Sequence, residues 1–338
     1  MTRTIVDTDA GVDDALAIIY AAHSPELLLE MITTVSGNVP VEEVTQNVLL
    51  LKKLLSLELD VKSGASLPLK RQLVTAPEVH GGDGLGGYRI GNSIHFKDWR
   101  TDDAAEKIVE SARRLGRKLK IISIGPMTNL ARAVANDGDA MRKIGGIVQM
   151  GGVFHGYGNT TTFTEFNIFV DPDAADFVLK SGVMLDFVPL DLTEKIFMPR
   201  NILTSLLNST RKMSGELRTL VTQSLSYYMA YHRHTDGLDG CFIHDPIAVA
   251  AVVNPAWFKF VDAFVSVETS GILTSGMTLA DFRTRKGRTN SRIATGMDAG
   301  LFLNDFTKKL FGRTIPARVA KQDCMRDRFG PEFSNALQ

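Results

Sequence analysis

Cysteine is scarce in this chain. Only Cys241 and Cys324 occur among its 338 residues, so neither a disulfide framework nor a four-sulfur zinc site can be built from it. No excess of either charge exists, since 38 Lys and Arg face 38 Asp and Glu. Without a global positive field, nothing in the composition favours a nucleic acid or an anionic membrane as partner. No apolar run approaches the ~20 residues that a membrane span requires. Met1-Thr2-Arg3 runs straight into Thr4-Ile5-Val6, without the roughly 7–15-residue apolar core of a signal peptide. The expectation is a soluble, cytoplasmic protein. What the chain does have is core material: 44% of its positions are hydrophobic, enough for a sizeable interior in one or two domains.

Strand-like and helix-like apolar patterns alternate. Thr4-Ile5-Val6 reads as a short buried strand that breaks at Gly11, and Ala15, Leu16, Ile18, Ile19 and Ala22 then recur at helical spacing. The pair repeats with Met31-Ile32-Thr33-Thr34-Val35, the breaker Gly37-Asn38 and a helical pattern over 41–55. A helix over 104–115, a strand over 119–124 closed by Gly125-Pro126, a helix from about Met127 and buried strands over 146–150 and 184–190 extend the rhythm. Such βα units imply a largely parallel sheet. The fold class expected is α/β: a single domain with a mostly parallel, Rossmann-like mixed central sheet flanked by helices. Residues 258–268 alternate as a strand of that sheet, and 203–236 read as helical. The stretch 75–98, with Gly81 to Gly87 inside it, reads as a flexible surface flap. The domain is taken as 1–312, with 313–338 a poorly packed C-terminal extension.

The most informative stretch is Asp7-Thr8-Asp9-Ala10-Gly11-Val12-Asp13-Asp14. In open α/β sheets, ligands bind outside the carboxyl ends of the strands, where this cluster falls. Asp7 and Asp9 project to the same side of an extended chain. Asp13 and Asp14 fall in the first helical turn, where either alone would simply complement the helix dipole. Four carboxylates within eight residues repel one another, so they must share protons or bind a cation. Ligands that are all oxygen favour a hard ion, Ca²⁺ or Mg²⁺. Two readings stay open at this point. A phosphotransferase would use Asp7 as nucleophile and Asp9 as acid/base, although that pattern wants Thr or Val where Gly11 stands. Otherwise the ion binds vicinal sugar hydroxyls and a water.

Asn38 directly follows a strand, and Asn159, Glu165 and Asn167 lie on loops ahead of Asp171-Pro172. Amides and carboxylates suit sugar hydroxyls, which both donate and accept. Each is equally compatible with ordinary turn and capping chemistry. Phe242-Ile243-His244-Asp245-Pro246 precedes an apolar helical run. Asp245 would cap that helix or, with His244, supply a metal ligand beside a proton-transfer group. Gly81 to Gly87 lacks the Lys-Ser/Thr ending of a phosphate-binding loop.

Taken together, these stretches resemble the inosine/uridine-preferring nucleoside hydrolase family, the calcium-dependent N-ribohydrolases. The opening Asp7 to Ile18 is similar to the family's D-x-D-x-G-x-D-D-x-x-A-I signature. Thr33-Thr34-Val35-Ser36-Gly37-Asn38, Gly125 to Ala131, Glu165-Phe166-Asn167 with Asp171-Pro172, and His244-Asp245-Pro246 match in order. The resemblance covers Ile5 to about Phe311. It implies hydrolysis of purine or pyrimidine ribonucleosides to free base and ribose, in nucleoside salvage, by a homodimer or homotetramer. It implies a Ca²⁺ held by Asp9, Asp14, Asp245 and the main-chain carbonyl of Ile124, with Asp9 also the general base toward water. Asp13, Asn38, Asn159, Glu165 and Asn167 would hold the ribose, and His244 would protonate the leaving base. His80 matches a histidine of the mobile flap, and Asp7 supports the cluster. Met150, Tyr228, Tyr231 and His232 are weaker substrate-site candidates. The alternatives are a metal-dependent phosphatase with Asp7 as nucleophile, and a non-catalytic nucleoside-binding protein.

Overall fold

β1 (Thr2–Thr8), α1 (Val12–Ala22), β2 (Leu27–Thr34), α2 (Val41–Leu54) and β3 (Asp60–Ser63) open the chain. Two one-turn helices, α3 (Pro77–His80) and α4 (Tyr88–Gly91), precede α5 (Ala104–Leu115), β4 (Leu119–Ser123), α6 (Thr128–Arg142) and β5 (Ile147–Met150). Then come α7 (Phe166–Val170), α8 (Pro172–Lys180), β6 (Leu185–Val188), α9 (Leu190–Thr193) and β7 (Phe197–Pro199). α10 (Arg200–Ser209), α11 (Gly215–Thr235), β8 (Gly240–Phe242) and α12 (Asp245–Val253) follow. β9 (Phe258–Val267), β10 (Thr278–Asp281), β11 (Ser291–Met297) and α13 (Ala299–Phe311) complete the order. The structure is a computed structural model, and it describes residues 1–91, 95–97, 99–213, 215–283 and 289–315.

Nine strands form one sheet in the order β10-β9-β11-β6-β5-β4-β1-β2-β3. All neighbours are parallel from β3 to β11, while β9 and β10 run antiparallel at one edge. β7 and β8 pair separately. Alternation along each strand feeds two apolar layers: Val6, Ile122 and Val148 join α1, α2, α12 and α13 on one face, and Ile5, Ile121 and Ile147 join α5, α6 and α8 on the other. α1 and α12 pack together and are buried almost all round, as expected for helices without a polar face. β1 has β2 on one side and β4 on the other, so the strand order reverses there. A crevice opens at such a switch point, beyond the carboxyl ends, where the Asp9 loop follows β1 and Ile124 follows β4. Among the described residues, no helix is long and apolar enough to cross a membrane.

The expected α/β class holds, with several differences in detail. The single helical stretch over 203–236 is two helices, because Thr210 is extended (ψ 138°) and ends α10. The glycine-rich flap is folded rather than loose. The Asp83 carboxylate accepts the amides of Leu85, Gly87 and Arg89 at 2.8–2.9 Å, and Asp83 is itself fully buried. Met184, expected in a buried strand, is 58% exposed. In the expected C-terminal extension Arg313 and Thr314 are exposed and Ile315 is buried against the core, and residues 316–338 lie outside the described residues.

Candidate active site

The chain leaves β1 at Thr8, crosses Asp9-Ala10-Gly11 and enters α1 at Val12. Ala10 makes this crossing at φ +36°, a strained conformation for a residue with a Cβ that costs roughly 1–3 kcal/mol. Local hydrogen bonds hold the bend. Thr8 Oγ1 donates to Asp14 Oδ1 at 2.5 Å and accepts from the Ala10 amide at 3.0 Å, and the Gly11 amide donates to Asp14 Oδ2 at 2.8 Å. From β2's end, the Asn38 amide donates to Asp9 Oδ2 at 2.8 Å and its Nδ2 to Asp14 Oδ2 at 3.2 Å. That approach needs Gly37, where a Cβ would lie 2.0 Å from Asp9 Oδ2.

Asp13 reaches the start of α12 and accepts the main-chain amides of His244 and Asp245. One oxygen each of Asp13, Asp14 and Asp245 lie within 4.8 Å of one another. Asp14 is also hydrogen-bonded to Asp9 and Asp245. The tightest trio therefore contains Asp13, with Asp9 one contact away, whereas the sequence resemblance set Asp9 among the ligands and Asp13 with the sugar. Of the four carboxyls, Asp9 keeps a buried oxygen, Oδ1, with no hydrogen-bond partner.

Burial pushes Asp13 up to about 7, with the Asp14 charge adding to it. Burial first and Asp14 second hold Asp9 well above the usual carboxylate range, burial raises Asp14, and burial with Asp13 raises Asp245 well above it. Crowded buried carboxyls must either keep protons or meet a cation. An orphaned oxygen, three converging carboxylates and no sulfur or imidazole among them fit a hard divalent ion.

Above this cluster lies a cavity of about 420 Å³. Thirteen of the sixteen residues expected from the sequence line it: Asp13, Asn38, His80, Ile124, Met150, Asn159, Glu165, Asn167, Tyr228, Tyr231, His232, His244 and Asp245. Asp9 and Asp14 are fully buried and do not reach its wall. Asp7 does not line it either. Its Oδ1 accepts from Thr33 Oγ1 at 2.6 Å and Asn129 Nδ2 at 2.8 Å, and it is 0% exposed. That oxygen is committed to β2 and α6, an anchoring arrangement rather than a nucleophile's, so the phosphatase alternative is not favoured.

Asn167 Nδ2 donates to the carbonyls of Ile124 at 3.3 Å and Met150 at 3.1 Å. Glu165 caps α7 by accepting the amides of Asn167 and Ile168, and it also takes the amide of Gly152. Burial raises it to about 7. Asn159 is exposed at the rim, its Oδ1 accepting from the Phe166 amide at 3.0 Å.

The other end of the cavity is aromatic. His80 Nδ1 accepts the Val12 amide at 3.1 Å, and the ring stacks on Tyr228 at 5.6 Å. Burial, then His232, depresses His80 to about 3, so the neutral ring carries its proton on Nε2. His244 Nδ1 shares a 2.8 Å hydrogen bond with Thr193 Oγ1. His232 packs edge-on against Tyr228, Tyr231 and Phe242. Its Nδ1 lies 2.9 Å from Asp236 Oδ2, while Nε2 is buried without a hydrogen-bond partner. Sequence reasoning missed Asp236 and Thr193. The i,i+4 spacing of His232 and Asp236 was a usable signal, whereas nothing local pointed to Thr193.

Comparison with known proteins places the chain in a family. The sequence model of the inosine-uridine preferring nucleoside hydrolase family matches residues 4–304. A pyrimidine-specific ribonucleoside hydrolase RihA of Enterobacter sp. (strain 638) is 35% identical over 309 residues, spanning 90% of this chain and 96% of that protein. The protein of the same name from Shewanella sp. (strain MR-4) is 36% identical over 308 residues, spanning 90% and 95%. Among solved structures, the purine-preferring ribonucleoside hydrolase from Gardnerella vaginalis superimposes with a TM-score of 0.82 at 31% identity, covering 94% of this chain and 99% of that one. The plant nucleoside hydrolase PpNRh1 gives a TM-score of 0.83 at 28% identity, covering 92% and 99%. With the match spanning nearly all of the described fold, this chain belongs to the inosine-uridine preferring nucleoside hydrolase family.

Proposed function

We propose that Asp9 takes the proton of the water that attacks the anomeric carbon of a purine or pyrimidine ribonucleoside of the inosine/uridine type. Ribonucleosides are the substrates of this hydrolase, and free base and ribose its products. In this reading Asp13, Asn38, Asn159, Glu165 and Asn167 hold the sugar, and His244 serves the departing base. The ion we assign is Ca²⁺, with Asp9, Asp14, Asp245 and the Ile124 carbonyl to hold it and Asp13 beside them. A hard cation bound there grips vicinal hydroxyls and acidifies water.

The observation that carries the reading is Asp9 Oδ1, a buried carboxylate oxygen left without a partner beneath the cavity. Burial raises its basicity, which suits a general base. As the N-glycosidic bond lengthens, positive charge develops at the anomeric carbon, and the carboxylates below offset it. At the far end the leaving base gains negative charge. Neutral His80 can donate a hydrogen bond there from Nε2, and His244 stands next to Asp245 to transfer a proton.

The curated relatives above are called pyrimidine-specific and the Gardnerella enzyme purine-preferring, so both base classes belong in the test. Release of reducing sugar is measured with inosine, guanosine, adenosine, uridine, cytidine and xanthosine, before and after chelation and Ca²⁺ return. Turnover that is lost in Asp9→Ala and restored by Ca²⁺ after chelation is the expected result. No release across the panel overturns the assignment, and full activity after exhaustive chelation overturns the ion. Light scattering on the purified protein reads the expected homodimer or homotetramer, which a monomer would refute.

A further inference from the structure

Asn47, in α2, is fully buried and has no part in the roles above, yet every group of its side-chain amide is engaged. Nδ2 donates to the carbonyl of Ala10 at 3.1 Å and to that of Asp83 at 2.6 Å. Oδ1 accepts from Arg89 Nε at 3.1 Å. The two carbonyls belong to different parts of the site. Ala10 is the residue at positive φ between Asp9 and Gly11, and Asp83 is the residue whose carboxylate folds the flap. The buried Arg89 guanidinium pairs in turn with Glu43, one helical turn before Asn47. Flap backbone lies directly on this junction: a Cβ at Gly84 would meet Asn47 Nδ2 at 2.8 Å and the Ala10 carbonyl at 3.0 Å.

We propose that Asn47 is a positioning residue that couples the docked flap to the peptide that aims Asp9, and thereby to cation affinity. A single amide nitrogen bonded to both carbonyls fixes their separation. Lifting the flap breaks one bond and loosens the other, which frees the strained Ala10 peptide and lets the neighbouring Asp9 carboxyl turn. An ion that grips the carboxylates holds that peptide and so favours the docked flap, since coupling between two sites is reciprocal. His80 adds a second tie across the same gap through the Val12 amide. The inference rests on the reading of the carboxylate cluster as a divalent-cation site.

The test is calorimetric titration of Ca²⁺ into the metal-stripped wild type, Asn47→Leu and Gly84→Ala. It is joined to hydrogen exchange of the Leu85, Gly87 and Arg89 amides with and without Ca²⁺. Ca²⁺ is expected to slow flap exchange in the wild type. Both variants are expected to bind Ca²⁺ about tenfold or more weakly, the usual loss when a supporting partner of a ligand is removed, and to lose the Ca²⁺-dependent slowing. A wild type that binds no Ca²⁺ overturns the cation reading and this inference with it. A wild type that binds, with folded variants that bind equally well, overturns the coupling alone and leaves Asn47 a stabilising residue. If Asn47→Leu does not fold, Gly84→Ala decides, because it keeps the Asn47 amide and presses a Cβ from the flap onto the junction between Asn47 and the Ala10 carbonyl.

Discussion

Asp236 accepts a hydrogen bond from His232 Nδ1 at 2.9 Å, and this pairing leaves Nε2, buried without a hydrogen-bond partner, as the unengaged nitrogen of a ring that lines the cavity. An imidazole that carries a single proton on Nδ1 has Nε2 left as an acceptor. This acceptor is expected to read a ring N–H on the base. His232→Phe keeps the packing against Tyr228 and Phe242 and removes the acceptor. The kcat/KM advantage of uridine over 3-methyluridine is expected to shrink by about tenfold, the equivalent of one hydrogen bond of ~1.4 kcal/mol. The same ratio in wild type and variant would remove His232 from base recognition.

His244 is expected to matter in proportion to how poorly the base leaves. His244→Ala should lower kcat on inosine by about 10²–10⁴-fold, the usual range for general acid help. The loss should be much smaller on p-nitrophenyl riboside, whose phenolate departs without a proton. Equal losses on both substrates would place His244 in sugar binding or packing instead.

Asp9 sits among three other carboxyls with an unpartnered oxygen, so it burdens the metal-free fold. Asp9→Asn removes one of the crowded charges while keeping the shape. Its metal-free melting temperature is expected to equal or exceed that of the wild type, its gain on adding Ca²⁺ to shrink, and its turnover to fall by about 10³-fold. A variant that melts lower without metal yet gains as much from Ca²⁺ would contradict this account.

The raised carboxyls also set a pH dependence. In the metal-free protein the folded state holds protons that the unfolded state releases near its ordinary value of 3.8, because Asp13 lies at about 7 and Asp9 and Asp245 are well above normal. Stability from these groups is therefore full below about pH 4 and is lost as the pH rises through about 7. Ion binding must expel the same protons, so Ca²⁺ affinity is expected to rise with pH over that window. A pH-stat should record proton release on Ca²⁺ addition at pH 6. No release, or tighter binding at lower pH, would contradict the assignment.

The acidic cluster was legible because its geometry is local. A strand end, a turn at Gly11 and one helical turn place Asp9, Asp13 and Asp14 near one another whatever the rest of the chain does. The parallel sheet was legible from alternating apolar patterns at β1, β2, β4, β5 and β6. β3, β10, β11 and α13 were not read, because short strands are defined by distant partners: β11 is a strand only because β6 and β9 flank it. The glycines of the flap suggested looseness, since sequence cannot show that one carboxylate, Asp83, would gather three of the flap amides. Thr193 meets His244 across 51 residues, and Asn47 meets Asp83 across 36. No periodicity announces such pairs.

From sequence alone came the chemistry on offer: oxygen ligands at a strand end, amides on the following loops, and a histidine beside the last aspartate. The tertiary structure decided how those groups are used. It left Asp9 Oδ1 without a partner, bound Asp7 to Thr33 and Asn129, turned Nδ1 of His232 to Asp236, and set Asp13 against the start of α12. The reason is physical. Backbone geometry and hydrophobic spacing act over a few residues and can be read along the chain, whereas the partner of a buried polar atom is set by which remote segments the core brings within about 3 Å.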